Sequence, residues 1–287
     1  MRQLNRRFIA FFAVTHLAAL YGLYYLAALH APWQTAVLGG ITYLCGGVAL
    51  TAGYHRYYTH RSYRCARPLQ LFFILFGAGT FQKPVAEWAP EHWTHHVFTD
   101  TERDPHNVRE GFWWAHVGWL LVKSEPTVGY VCPLPDLSGD PLVRFEQRYY
   151  IPIALTVGFG FPTVTGLCWG DPLGGLLIAG FLKLVVQHHM TFMVNSVAHT
   201  FGTRPHSPTS ARNNRLIALP TLGEGGGHNS HHAFPWDYRH GLRWYALDPT
   251  KWLMWTLSLV GLTWNLRRAS PEDIRAAEIR MAENENR

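Results

Sequence analysis

Apolar residues gather along this chain in a few long runs, and the stretches between them are polar and rich in histidine. The first run, residues 8–30 (FIAFFAVTHLAALYGLYYLAALH), has the roughly 20 residues needed to cross a bilayer. AALHA near its end is weakly like a signal-cleavage site, but the apolar part outlasts a secretory h-region and predicts a retained span. After a short turn at Ala31-Pro32, residues 34–54 form a second span. Residues 149–168 and 173–197 predict a second hairpin of spans, joined by Gly170-Asp171-Pro172. Two shorter runs, at about 14 residues, fall below spanning length. Residues 68–81 predict an interfacial or re-entrant segment, and 251–264 (KWLMWTLSLVGLTW) a segment lying on the membrane. In the tail, Ser270, Pro271, Glu272 and Asp273 have the order of an N-cap, a first-turn proline and dipole-favoured acids, so a solvated helix follows.

The pattern therefore predicts an all-α membrane protein. Residues 1–54 make a first transmembrane hairpin, 55–148 a cytosolic loop, 149–199 a second hairpin, and 200–287 a cytosolic C-terminal part. Of the 25 Lys and Arg residues, three precede the first span, ten lie in 55–148, eleven follow residue 199, and one, Lys183, sits inside a span. The two hairpin turns carry none. The positive-inside rule then places both termini and the 55–148 loop in the cytoplasm. Lys183 can snorkel, pair or meet a substrate, and the sequence does not choose.

Composition changes this picture little. Hydrophobic residues are 48% of 287 and the net charge is +6. No Lys/Arg cluster interleaves with aromatics as nucleic-acid binding requires, and anionic lipid on the cytoplasmic side accounts for the charge. A basic face also suits an acidic electron-donor protein. Cys45, Cys65, Cys132 and Cys168 are far apart in sequence, which argues against a disulfide framework or thiolate metal site.

The seventeen histidines are the anomaly. Box 1 is His55-Arg-Tyr-Tyr-Thr-His60, box 2 is His92-Trp-Thr-His95-His96, and box 3 is His228-Asn-Ser-His231-His232. A fourth element, Asn195-Ser-Val-Ala-His199, ends the fourth span. On a helix, positions i, i+3 and i+4 share a face, so the three histidines of box 2, and those of box 3, are expected to converge. His55 and His60 stand about 140° apart on an α-helix. They reach one site only if the helix end distorts, or else they serve two metals. Nine imidazoles exceed one ion's needs and fit two ions with four or five nitrogens each. Imidazole suits iron, zinc and copper alike. Outside this set, His106 is expected to fix a turn and His116 to support a ligand. His16, His30, His188, His189, His206 and His240 carry no assigned role.

At these residues the sequence resembles the membrane fatty-acid desaturases of the stearoyl-CoA (delta-9) type. The resemblance runs through Gly53-Tyr54-His55-Arg56, His60-Arg61-Ser62, Asp104-Pro105-His106-Asn107, Gly111-Phe112-Trp113-Trp114 and His116-Val-Gly-Trp119. It ends with Asn195-Ser196-Val-Ala-His199 and Gly223-Glu224-Gly225 leading into His228-Asn229-Ser-His231-His232-Ala-Phe234-Pro235. It covers about residues 35 to 240, and the order of the boxes, with NSxAH between the second and third, is its specific part. One departure stands out. The family has one residue between Gly-Glu-Gly and the box histidine, whereas Gly226 and Gly227 both intervene here.

The resemblance implies four spans capped by a cytosolic helical domain that holds two irons. The implied ligands are His55, His60, His92, His95, His96, His199, His228, His231 and His232, with Asn195 contacting one iron through a water. The implied reaction uses molecular oxygen and two electrons to place a cis double bond, at the delta-9 position, in a saturated acyl chain carried by coenzyme A or a lipid. An apolar tunnel between the spans would bind the chain. Gly39 and Tyr43, one turn apart on the second span, would limit its length. No His-Pro-Gly-Gly, flavin or nucleotide motif occurs, so electrons are expected from a separate ferredoxin, rubredoxin or cytochrome b5 type donor. The expected place is a bacterial inner membrane. A di-iron hydroxylase shares the boxes and is the alternative. A haem cytochrome using His16 and His188, or a non-catalytic metal carrier, are further rivals.

Overall fold

A computed structural model describes residues 3–29, 31–123 and 137–285. His30 and Cys132, named above, lie outside the described residues. The chain runs through α1 (Arg6–Ala28), α2 (Trp33–Thr59), α3 (Arg67–Ala78), α4 (Val85–Phe98), α5 (Pro141–Trp169), α6 (Pro172–Thr200), α7 (His228–Ala233), α8 (Pro249–Leu259) and α9 (Pro271–Glu285). Arg64–Cys65 pairs antiparallel with Thr263–Trp264, which ties the C-terminal part back to the α2–α3 connection.

Among the described residues four helices are long and apolar enough to cross a membrane: α1, α2, α5 and α6. The four spans expected from the sequence are therefore present. Only 22% of the apolar window of α1 and 28% of that of α5 is buried, against 56% in α2 and 50% in α6. The central pair, α2 and α6, thus forms the inner layer, and both continue into histidine-bearing ends. At the opposite end the Asp171 carboxylate is buried and locks the hairpins together. It accepts from Tyr25 Oη at 2.8 Å, Thr35 Oγ1 at 2.5 Å and the Gly174 N–H at 2.8 Å. Donors from three helices meeting one buried carboxylate satisfy a charge that would otherwise be costly in an apolar layer.

The short run at 68–81 folds as α3, whose buried face carries Gln70, Phe73, Ile74 and Gly77. Its contact with α2 interlocks by small-against-large exchange. A Cβ at Gly53 would lie 2.5 Å from Phe73, and one at Gly77 would lie 2.3 Å from Tyr54. Each ring occupies the space the facing glycine leaves, so the two backbones approach closely just before His55.

The helices do not respect the boundaries drawn from hydropathy. α2 runs past 54/55 as far as Thr59. α5 begins at Pro141, and the 148/149 boundary falls at an internal kink where Tyr149 leaves helical geometry (φ −114°, ψ 23°). Pro152 is the cause: its ring crowds the carbonyl four residues back and it has no N–H to donate there. Ser270 caps α9 as expected, accepting from the Asp273 N–H at 3.0 Å.

Candidate metal centre

The end of α2 decides box 1. Hydrogen bonding is α-helical through Trp33–Val48 and becomes π-helical over Ala49–Thr59. A π-helix bonds residue i+5 to residue i, and the His60 N–H donates to the His55 carbonyl at 3.0 Å. Residues five apart then stack on one face instead of diverging. His55 and His60 have ring centroids 4.8 Å apart. The distortion that the spacing demanded is thus spread over several turns, and both histidines reach the same site.

The nine histidines meet as two groups. His55, His60, His92, His96 and His231 offer nitrogens that all lie within 4.8 Å of one another, and so do His95, His199, His228 and His232. This corrects the expectation for boxes 2 and 3: their histidines do not converge as units. In each box the i and i+4 residues go to one group and the i+3 residue to the other. α4 gives His92 and His96 to the first group and His95 to the second; α7 gives His228 and His232 to the second and His231 to the first. All the facing atoms are Nε2. In the first group the pairs His55–His231, His231–His96, His96–His92 and His92–His60 each stand 3.0 Å apart. In the second, His199–His228 is 2.9 Å and His95–His232 is 3.3 Å.

These spacings fit metal coordination. Imidazole–metal bonds of about 2.1 Å give donors roughly 3.0 Å apart at 90° angles and about 3.4 Å at tetrahedral angles. The first group has the spacing of a five- or six-coordinate ion. Outer hydrogen bonds support this reading for one histidine of the first group and two of the second. The His55 Nδ1–H donates to Glu224 at 2.5 Å, the His95 Nδ1–H to Asp104 at 2.9 Å, and His199 Nδ1 pairs with Ser210 Oγ at 2.7 Å. Nitrogens so engaged leave bare lone pairs on Nε2, and converging lone pairs need a cation between them. Such outer hydrogen bonds fix tautomer and ring orientation in metal-binding histidines.

Burial keeps these rings neutral. It pushes His92, His95, His96, His231 and His232 well below the usual imidazole range, with neighbouring imidazoles adding to the effect, and takes His228 to about 3. Neutral imidazole is the form that binds metal. The donor set contains no carboxylate, so the compensating negative charge lies one layer out, on Glu224 and Asp104. Glu224 is anchored by Arg56 at 3.0 Å, and Arg56 also holds Asp248 at 3.0 Å.

Several residues gain roles that the sequence left blank. His240 is fully buried, stacks on His231 at 4.2 Å between centroids and lies 3.3 Å from Glu224. His106 does more than fix a turn: its backbone N–H bonds Asp104 at 3.2 Å while its ring packs 4.2 Å from that of His95. His206 pairs with Ser230 Oγ at 3.0 Å. His116 stands away from the ligands, bonded to Ser196 at 2.9 Å and His189 at 3.0 Å. His16 pairs with His189 at 3.1 Å, and His188 with the Thr80 carbonyl at 2.7 Å.

The extra glycine before box 3 does not displace it. Gly227 immediately precedes α7, and a Cβ there would come within 2.0 Å of the His240 carbonyl oxygen. The two chain segments touch at this point, so a residue without a side chain is required.

A cavity opens beside both groups. Tyr43, Leu50 and Met190 line its apolar part, and His55, His92, His95, His228 and Asn195 border the rest. A second cavity behind Phe11, Phe12 and Phe81 shares Gln82, Trp88, His92, Thr191 and Asn195 with the first. Tyr43 thus faces the expected space, and its hydroxyl donates to the Pro220 carbonyl. Gly39 is not among the lining residues; it packs against Ile178 of α6. Asn195 borders the cavity beside the metal groups.

Comparison with known proteins agrees with this geometry. The fatty acid desaturase family model matches residues 31–268. A probable acyl-CoA desaturase of Schizosaccharomyces pombe is 45% identical over 89% of this chain and 53% of its own length. Stearoyl-CoA desaturase 2 of Mus musculus is 39% identical over 92% of this chain and 75% of its own. The delta(9)-fatty-acid desaturase fat-7 of Caenorhabditis elegans is 37% identical over 93% and 80%. The chain spans about half the length of the yeast relatives it matches.

Proposed function

We propose that this chain, which belongs to the fatty acid desaturase family, is an integral membrane acyl desaturase that uses nine histidines to hold two iron ions. The observation that carries the reading is the grouping of nine imidazoles as five and four, with their Nε2 atoms facing inward beside an apolar cavity. The reaction converts two adjacent CH2 groups, O2, two electrons and two protons into a cis CH=CH and two waters. Iron, when bound, supplies the oxidising power drawn from O2. The protein's own task is positional: which carbons react is decided by where a flexible chain is held. Tyr43 and Leu50 form the apolar wall, and Trp88 and Thr191 stand where the two cavities meet near the histidines. Asn195, which borders the same cavity as histidines of both groups, would hold a water toward one iron.

The names of the relatives favour an acyl-CoA substrate and delta-9 as the bond position. Electrons come from a separate small donor protein of ferredoxin, rubredoxin or cytochrome b5 type. The distribution of Lys and Arg favours a cytoplasmic site and termini. The end of α2, α4, the end of α6 and α7 together carry the nine histidines at one end of the two hairpins.

The test is gas chromatography–mass spectrometry of cellular fatty acids, with double-bond location, in a host expressing the chain or its His96→Ala variant. A new unsaturated acid present only with the intact chain is expected. A hydroxylated acid in its place would make the protein a hydroxylase and overturn the proposal.

A further inference from the structure

The cap carries an apolar surface that the metal centre does not use. Leu216 is 88% exposed, Leu219 60%, Trp244 83%, Trp255 48% and Leu259 66%. These residues come from the turn after Asn214, the loop before α8, and α8 itself. Trp252 Nε1–H donates to the Trp244 carbonyl at 3.1 Å, which joins the loop to the helix.

Exposed charge on this region is mostly of one sign, with Glu278 of α9 the acid near Arg243. Between residues 212 and 268 the acidic residues are Glu224, Asp237 and Asp248, and all three are buried. The exposed charges there are Arg215, Arg243, Arg267 and Arg268. An ordinary solvated face mixes both signs, whereas aromatic and aliphatic residues bordered by arginine match a bilayer interface.

The level of this surface follows from α2. Its α-helical part has 16 residues and so reaches about 24 Å from Trp33 by Val48. The hydrocarbon core is about 30 Å thick, so Thr51, about one turn on, still lies at its cap-side edge. Thr51 Oγ1 and Thr250 Oγ1 are hydrogen-bonded at 2.8 Å, which fixes the start of α8 at that level. The 215–222 turn sits deeper. A Cβ at Gly47 would meet Leu222 at 2.6 Å, and Tyr43 bonds the Pro220 carbonyl. Gly47 lies about 21 Å along the helix, inside the core.

We infer that the 215–219 turn, Trp244 and the outer face of α8 insert into the cap-side leaflet of the bilayer, with Arg215 and Arg243 on anionic headgroup phosphates. The cap is then a partly submerged wedge, continuous with the lipid-facing surface of the spans. The same turn supplies Pro220, Thr221 and Leu222 to the wall of the larger cavity, so lipid and cavity are separated by one segment.

The experiment places a photo-crosslinking amino acid at Leu219 or Trp255 of the full chain in nanodiscs of phosphatidylcholine and phosphatidylglycerol, with adducts read by mass spectrometry. Leu20, exposed on α1, is the positive control and Glu283, exposed on α9, the negative one. Lipid adducts at 219 and 255, on the scale of those at Leu20, are expected. Replacing Arg215 and Arg243 by Gln should lower the phosphatidylglycerol share of those adducts, by roughly fivefold for each arginine. Absence of lipid adducts at 219 and 255 while Leu20 labels would overturn the proposal. So would adducts to a second copy of the chain, which would make the face a protein contact. Neither result depends on catalytic turnover, so the desaturase reading stands or falls separately.

Discussion

Asp104 offers a way to disturb one metal group and not the other. Its Oδ1 accepts the His95 Nδ1–H at 2.9 Å and the His106 backbone N–H at 3.2 Å, and its Oδ2 accepts the Asp100 N–H at 3.2 Å. Burial pushes this carboxyl up, with His106 partly offsetting the effect, so the charge is held where it is costly. Asn at this position has one oxygen for three donors. If that oxygen stays toward His95, the amide NH2 opposes the Asp100 N–H, a buried mismatch costing about 1–3 kcal/mol of stability. If the amide turns, its NH2 faces His95 Nδ1 and drives the ring proton onto Nε2, the atom that should bind metal. Loss of such a supporting contact weakens metal binding about 10–100-fold, or roughly 1.4–2.7 kcal/mol. Of the two imidazole groups, His95 belongs to the four-histidine one. Asp104→Asn should therefore lower iron affinity at one site by that factor and leave the other unchanged. The assay is iron titration of the metal-free protein with stoichiometry by mass spectrometry, alongside the unfolding midpoint of both metal-free forms. Two unchanged affinities, or equal weakening of both sites, would refute the division of the centre and the role of Asp104.

Further outcomes are expected. Tyr43→Ala removes the ring bordering the cavity and its bond to Pro220, and should lengthen the acyl chain accepted; an unchanged product profile on mass spectrometry sinks that role. Gly227→Ala should cost at least about 1–3 kcal/mol by overpacking and lower bound iron, because the added Cβ meets backbone at His240; a midpoint within error of the parent would contradict the close approach. Acid should destabilise the metal-free protein. Burial lowers the pKa of His92, His95, His96, His231 and His232 in the native state, so below about 6.5 the unfolded chain binds protons that the native state does not. Stability is then lost as pH falls from about 6.5 toward 3, where His228 titrates. Equal unfolding midpoints at neutral and mildly acid pH would show that these rings are not neutral and buried.

Much of this was legible in the sequence because the relevant signals are local. Spans are runs of apolar residues about as long as a bilayer is thick, and four were recoverable without a structure. The donor count was also local, since boxes announce themselves by repeated histidine at helical spacing. What the sequence could not give was the sorting of donors. Neighbouring positions on a helix diverge by about 100°, so His95 and His96 fall to different histidine groups. Which group each joins depends on how α4 and α7 are docked against α2 and α6. The π-helical end of α2 was equally hidden, as was the close packing beside it in which Gly53 faces Phe73 and Gly77 faces Tyr54. Glu224, Asp104, Ser210 and His240 carry no spacing signal at all; only the folded chain brings them to the backs of the ligands. Sequence fixes what lies within a few turns of itself, and the centre is assembled from pieces up to 176 residues apart, as His55 and His231 are.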